Sequence, residues 1–243
     1  MRSERILDTF YYKQQLIISM FIKSENRTKV KICGITNLED ARFASGALAD
    51  YLGFIFYPGS PRYIEPAKAG AIINWIEGPI KVGVFVNQPL DDVNRIVKET
   101  GIDIVQLHGT ESPEYCSLIE SPVIKVIHVS EDSSVNNLKT NISEYSSVID
   151  YLLFDTKISG RWGGTGKVFD WNLLKSISYE IPFFLSGGLN ASNIKKSIDM
   201  THPNVVDLSS GLEESPGLKD FDKIEEFFEI MREVWNEQEL SDI

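Results

Sequence analysis

The sequence predicts an α/β fold, a (β/α)8 barrel, on three observations. Eight short β-rich runs alternate with longer segments of helical pattern from Lys29 onward. Several of the runs, such as Val82 to Val86 and Tyr151 to Phe154, are continuously apolar, the pattern of parallel strands buried on both faces. The eight alternations leave about 27 residues per unit, room for a strand, a helix and two loops. An open doubly wound sheet is the competing fold. It usually carries a Gly-x-Gly-x-x-Gly turn after its first strand, and Cys33-Gly34-Ile35-Thr36 is not one.

Taken in order, the strand candidates are Lys29 to Cys33, Tyr51 to Phe56, Ile80 to Val86, Asp103 to His108, Val123 to Val129, Tyr151 to Asp155, Ile181 to Ser186 and Asn204 to Ser209. The helical segments between them carry their own punctuation. Thr36 and Glu39 have capping-box spacing ahead of Ala41 to Ala49. Pro66, Pro89 and Pro113 sit where a first helical residue belongs, Ser112 can cap the helix that Pro113 opens, and Gly101 supplies a helix stop. In the last segment Ile224, Phe227, Phe228, Met231, Val234 and Trp235 fall on one helical stripe, which reads as core packing.

Composition narrows the function. A formal net charge of −11 opposes the electrostatic attraction that supplies most nucleic-acid affinity, so a nucleic-acid partner is not expected. No apolar stretch approaches the roughly 18 residues of a membrane span. The two cysteines, Cys33 and Cys116, make no disulfide framework and no paired zinc motif, and point to a reducing, cytoplasmic setting. His108, His128 and His202 lack the helix spacing of a zinc protease, so no metal is expected. Residues 1–28 read as an N-terminal extension of unknown role ahead of a catalytic barrel over 29–243. The apolar run Leu16 to Ile22 is short for a signal peptide and has no small-residue cleavage site after it.

Barrel active sites lie at the C-terminal strand ends. Because side chains alternate along a strand, Lys31 and Cys33 share a face, as do Gln106 and His108, Leu153 and Asp155, and Asp207 and Ser209. If that face is the interior, polar groups crowd one rim, at about 1 to 3 kcal/mol each unless paired. Singly, Cys33, Asp155 and His108 each have an ordinary structural reading; the argument rests on the set. Two glycine segments, Ser186-Gly187-Gly188 and Ser209-Ser210-Gly211, follow the seventh and eighth strands, where barrels frequently bind phosphate through backbone N–H groups. The stretch Gly160 to Lys167 is no P-loop, because Arg161 and Val168 occupy required positions; it reads as a lid that closes over substrate. Arg62, after Ser60-Pro61, can grip a carboxylate through two parallel hydrogen bonds.

Together Lys31-Ile-Cys33-Gly34-Ile-Thr36, Ser60-Pro61-Arg62, Val82-Gly83-Val84-Phe85-Val86-Asn87, Gln106-Leu107-His108-Gly109, Phe154-Asp155, Gly163-Gly164-Thr165-Gly166, Ser186-Gly187-Gly188-Leu189 and Asp207-Leu-Ser209-Ser210-Gly211-Leu-Glu213 resemble the phosphoribosylanthranilate isomerase family of tryptophan biosynthesis, from Lys29 to about Lys223. Two departures stand out: Leu48 occupies a position that is usually glycine in the family, and the first 28 residues have no counterpart. The resemblance implies a cofactor-free Amadori rearrangement of a small sugar-phosphate by a monomer or homodimer. Asp155 would be the general acid and Cys33 the general base. Arg62 would hold the anthranilate carboxylate, Gly187, Gly188, Ser209, Ser210 and Gly211 the phosphate, and His108 and Asp207 would line the pocket. An ordinary thiol is mostly protonated at pH 7, so the base needs help. Lys31 is a candidate for that help, or else a partner of Asp207. The alternatives are a non-catalytic phosphate-binding barrel and a sister isomerase of histidine biosynthesis, which the resemblance associates with paired aspartates where this chain has Cys33.

Overall fold

The barrel closes in chain order. Strands β1 (Lys29–Cys33), β2 (Tyr51–Ile55), β3 (Ile80–Phe85), β4 (Ile104–Leu107), β5 (Val123–Val129), β6 (Tyr151–Thr156), β7 (Phe183–Leu185) and β8 (Val205–Leu208) are all parallel, and β1 pairs with both β2 and β8. The computed structural model describes residues 27–156, 168–177 and 180–241, so the glycine stretch read as a lid and nearly all of the N-terminal extension lie outside the described residues. All eight strand candidates are strands. The seventh starts later than the sequence suggests, because Pro182 has no N–H to donate; its carbonyl still accepts from Leu152 N at 3.1 Å.

Helices α1 (Leu38–Gly46), α2 (Pro66–Ile73), α3 (Leu90–Thr100), α4 (Pro113–Cys116), α5 (Val135–Tyr145), α6 (Asn172–Lys175), α7 (Ile194–Thr201) and α8 (Phe221–Ser241) separate and follow the strands. Pro66 and Pro113 open their helices, Ser112 accepts from Tyr115 N, and Gly101 ends α3 in the left-handed conformation. Two caps differ from expectation. Asn37, not Thr36, caps α1 by accepting from Asp40 N at 2.8 Å, and Thr36 instead donates to Gly217 O. Pro89 is the cap of α3 rather than its first residue.

Packing divides into two cores. The larger lies between strands and helices and includes the α8 stripe of Ile224, Phe227, Phe228, Met231 and Val234. The smaller fills the barrel interior with Tyr51, Val82, Ile104, Ile124, Val126, Leu153, Phe184 and Val205. Each such side chain contributes roughly 1.5–3 kcal/mol by leaving water. A short turn at Ser210–Leu212 leads into a hairpin, β9 (Glu213–Ser215) and β10 (Leu218–Lys219), that the strand pattern had not shown.

At the opposite end, the two residues before β1 are tied down. Arg27 pairs with Asp50 at 2.7 Å and lies over the Trp235 ring at 4.1 Å, while Thr28 exchanges hydrogen bonds with Gln238 and accepts from Trp235 Nε1.

Candidate active site

Strand alternation turns Lys31, Cys33, Gln106, Asp155 and Asp207 into the barrel at its C-terminal mouth, and their mutual contacts prove the shared face. Lys31, with no exposed surface, donates from Nζ to Asp207 Oδ2 on the neighbouring β8 at 2.9 Å and to Gln106 Oε1 across the interior on β4, also at 2.9 Å. Gln106 Nε2 lies 3.2 Å from His108 Nδ1, and His108 Nε2 lies 3.4 Å from Asp155 Oδ2. One polar chain thus crosses the mouth from β8 to β6.

Burial drives the proton off a lysine, but Asp207 and Cys33 face Lys31 and raise its pKa above the ordinary value. Lys31 thus pairs with Asp207, and its charge also acts on Cys33. Burial pushes the Cys33 thiol up, with Lys31 pulling it back only in part. Burial of the thiol thus works against the anion that a base needs, and Lys31 works for it. Space for that sulfur comes from Gly53 beside it on β2, where a Cβ would stand 2.6 Å from Cys33 Sγ.

Asp155 is nearly buried and accepts from Thr156 N at 2.8 Å. His128, its register partner on β5, donates from Nε2 to His108 O at 3.0 Å. Burial, followed by the adjacent His108, pulls His128 down to about 4, so it is neutral near pH 7. The sequence reading left the histidines scattered. The fold gathers two of them with Asp155, ring nitrogens and a carboxylate oxygen within 4.8 Å of one another. By composition the trio could hold a divalent ion, although the 3.4 Å between His108 and Asp155 is also what one long N–H···O contact fills. The signal for His128 was available in the alternation Ile124, Val126, His128, which puts all three on the inner face.

The loop that carries His108 is anchored from below. Glu111 accepts from Asn87 N and Gly109 N and from Lys125 Nζ at 2.7 Å.

Arg62 is neither idle nor open. It grips Glu213 of its own chain, donating from Nε at 2.9 Å and from Nη2 at 2.6 Å, which leaves Nη1 as the arm not committed to that carboxylate. Lys219 donates to the same carboxylate at 2.9 Å and to Cys33 O at 2.7 Å. Against the burial that would raise it, hydrogen bonds from Arg62 and Lys219 hold Glu213 below the usual carboxylate range. Sequence reasoning missed Lys219 and the pairing of Glu213. The Pro216-Gly217 dipeptide, with Gly217 at φ +85°, was the turn signal that brings them together.

The two glycine segments meet. Gly187 and Gly188 both take positive φ, and a Cβ on Gly211 would stand 2.1 Å from Leu189 O, so the loop after β7 lies directly on the turn after β8. Gly211 therefore abuts Leu189 and Asn190 of the other glycine segment, while Ser209 Oγ lies on the side of Gly34.

Among the described residues, six buried side-chain polar atoms have no hydrogen-bond partner: Gln88 Oε1, His108 Nε2, Thr156 Oγ1, Trp171 Nε1, Asp207 Oδ1 and Ser209 Oγ. All six belong to C-terminal strand ends or to the loops that follow them. At about 1 to 3 kcal/mol each, such atoms accumulate at one mouth only where something else satisfies them.

A closed parallel barrel with a buried acid, a buried thiol and orphaned polar atoms at its C-terminal mouth defines an enzyme of the (β/α)8 class. The comparisons specify it. The model of the family "N-(5'phosphoribosyl)anthranilate (PRA) isomerase" matches residues 30–230. The N-(5'-phosphoribosyl)anthranilate isomerase of Pelobacter propionicus is 42% identical over 210 residues, covering 86% of this chain and 98% of the relative; that of Thermotoga neapolitana is 44% identical over 203 residues, covering 82% and 96%. The crystal structure of the Thermotoga maritima phosphoribosyl anthranilate isomerase superposes with a TM-score of 0.77 at 40% identity, covering 84% of this chain and 98% of that one. A further isomerase structure, at TM-score 0.72 and 37% identity over 84% and 98% of the two chains, is a complex with reduced 1-(o-carboxyphenylamino)-1-deoxyribulose 5-phosphate. The chain belongs to the phosphoribosylanthranilate isomerase family, a family of isomerases.

Proposed function

We propose that this chain catalyses the Amadori rearrangement of N-(5'-phosphoribosyl)anthranilate to 1-(2-carboxyphenylamino)-1-deoxyribulose 5-phosphate in tryptophan biosynthesis. The carrying observation is the cluster of orphaned buried polar atoms around Asp155, His108, Asp207 and Ser209, a mouth that wants a polar ligand. A relative bound to a reduced form of that product supports the choice of ligand.

Asp155 protonates the furanose ring oxygen, which opens the ring to a Schiff base. Cys33 removes the proton from the sugar C2, giving an enolamine that tautomerises to the ketone. Because burial raises the thiol's pKa, the ammonium of Lys31, which pulls it back, supplies the positive charge that makes the thiolate accessible when substrate arrives. The phosphate sits on the seam of Gly187, Gly188, Ser209, Ser210 and Gly211. The anthranilate carboxylate takes Nη1 of Arg62, with Glu213 holding the rest of the fork in place. His108 and Asp207 line the pocket, and no cofactor takes part. Such a biosynthetic enzyme works in the cytoplasm. No helix among the described residues is long and apolar enough to cross a membrane. A relative from Thermotoga maritima is described as dimeric, and this chain is a monomer or a homodimer.

The test follows the loss of substrate fluorescence with purified protein. Cys33→Ser and Asp155→Asn are each expected to lower kcat by about 10²- to 10⁴-fold, with the fold and the affinity for a reduced product analogue retained. Full turnover in Asp155→Asn removes the assignment. Ligand binding without any turnover by the wild type would instead make this a binding barrel.

A further inference from the structure

Gln106 is almost wholly buried, and both ends of its amide are engaged. The orientation of such a group is ordinarily ambiguous. Here it is not, because Lys31 Nζ carries only donors, so the atom 2.9 Å from it must be the amide oxygen. The NH2 end therefore faces His108 Nδ1 at 3.2 Å and needs an acceptor there. A neutral imidazole has one acceptor nitrogen and one N–H; with Nδ1 accepting, the proton resides on Nε2, which is the nitrogen 3.4 Å from Asp155 Oδ2.

We propose that Gln106 is a positioning residue: clamped by Lys31, it locks His108 in the Nε2–H tautomer so that the imidazole aims a donor at the carboxyl of Asp155. The role rests on the functional reading above. Once Asp155 has given its proton to the ring oxygen it is a carboxylate, and the N–H of His108 is then a charge-assisted donor to it. The charge of the same lysine also acts on Cys33. His108 Nε2 has no well-formed hydrogen bond in the ligand-free site; its donor is pre-aimed and satisfied fully only after proton transfer.

The experiment labels histidine with 15N and reads the tautomer of His108 by NMR, in the wild type and in Gln106→Glu. The glutamate is nearly isosteric and still accepts from Lys31, but it has no N–H to offer, so the ring must turn its own proton toward it. The wild type is expected to show the Nε2–H pattern. Gln106→Glu is expected to show Nδ1–H, with kcat lowered about 10- to 100-fold and KM within about 3-fold, the loss of one charge-assisted bond in the transition state. Gln106→Met is expected to give a mixture of tautomers and an intermediate kcat. In a His108→Ala background neither Gln106 substitution should lower kcat further. A wild-type Nδ1–H pattern, or an unchanged pattern in Gln106→Glu, overturns the lock, as does an additive loss in the double variants. If the wild type shows the Nε2–H pattern without turning over substrate, the functional reading fails while the tautomer assignment stands.

Discussion

Toward its N-terminal end the barrel interior is filled by Tyr51, Ile104, Tyr151, Phe184 and Val205, while one or two side-chain layers further along the same sheet it holds Lys31, Gln106, Asp155 and Asp207. The lower layers pack ring on ring, with Phe184 edge-on to Tyr51 at 5.4 Å and to Tyr151 at 5.7 Å. In the upper layers every charge is answered by a partner, or left waiting for one. The lower half gains from leaving water. The upper half is costly to fold, because removing ions from water is only partly offset by pairing them. The contrast explains why the same alternation along a strand can serve stability at one end and chemistry at the other.

The sharpest way to break this comparison is Lys31→Met, which keeps the volume of the side chain and removes its charge. Asp207 is then buried without its counter-ion, and the variant should lose about 3 kcal/mol in urea denaturation together with most of its turnover. A stable, active variant would show that the upper layer is not held by this pair.

A smaller effect comes from pH. The His128 value drops from 6.5 in a free side chain to about 4 in the fold, so between those values the unfolded chain binds a proton that the folded chain refuses. The stability contributed by neutral His128 is complete above about pH 6.5 and is lost progressively as pH falls toward 4. Denaturation midpoints measured across this window should fall for the wild type and fall less steeply for His128→Gln. Parallel profiles would place the acid sensitivity elsewhere.

The smallest effect belongs to the opposite end. Leu48, exposed in the loop between α1 and β2, is held at φ +77°, a conformation that costs a side-chain-bearing residue roughly 1 kcal/mol and glycine almost nothing. Leu48→Gly should raise the unfolding free energy read by urea denaturation by up to that amount, less what the added entropy of glycine in the unfolded chain takes back, with kcat unchanged. A change in kcat would mean that the two ends are coupled. The sequence had marked this position as one where a glycine is usual in the family, and the backbone supplies the reason.

Local periodicity made the strands legible, because two-residue alternation and continuous apolar runs are properties of neighbouring residues. It also placed Lys31, Cys33, Asp155 and Asp207 on the inner face. Partnership was less legible. Arg62 read as a clamp for a ligand carboxylate, yet most of its fork is taken by Glu213, 151 positions away in the chain, delivered by a hairpin that the strand pattern did not reveal. His128 read as a scattered histidine, and only pairing of β5 with β6 sets it opposite Asp155.

From the chain alone came the order of elements, the inward face of each strand and the residue types at the mouth, since each depends on spacing over a few residues. Which charge meets which was decided only on closure, when pairing of β1 with β8 brings Lys31 to Asp207 and the width of the barrel sets Gln106 across from both. Coulomb attraction and hydrogen bonding act over a few ångströms, and in this molecule those few ångströms separate residues 75 and 176 positions apart.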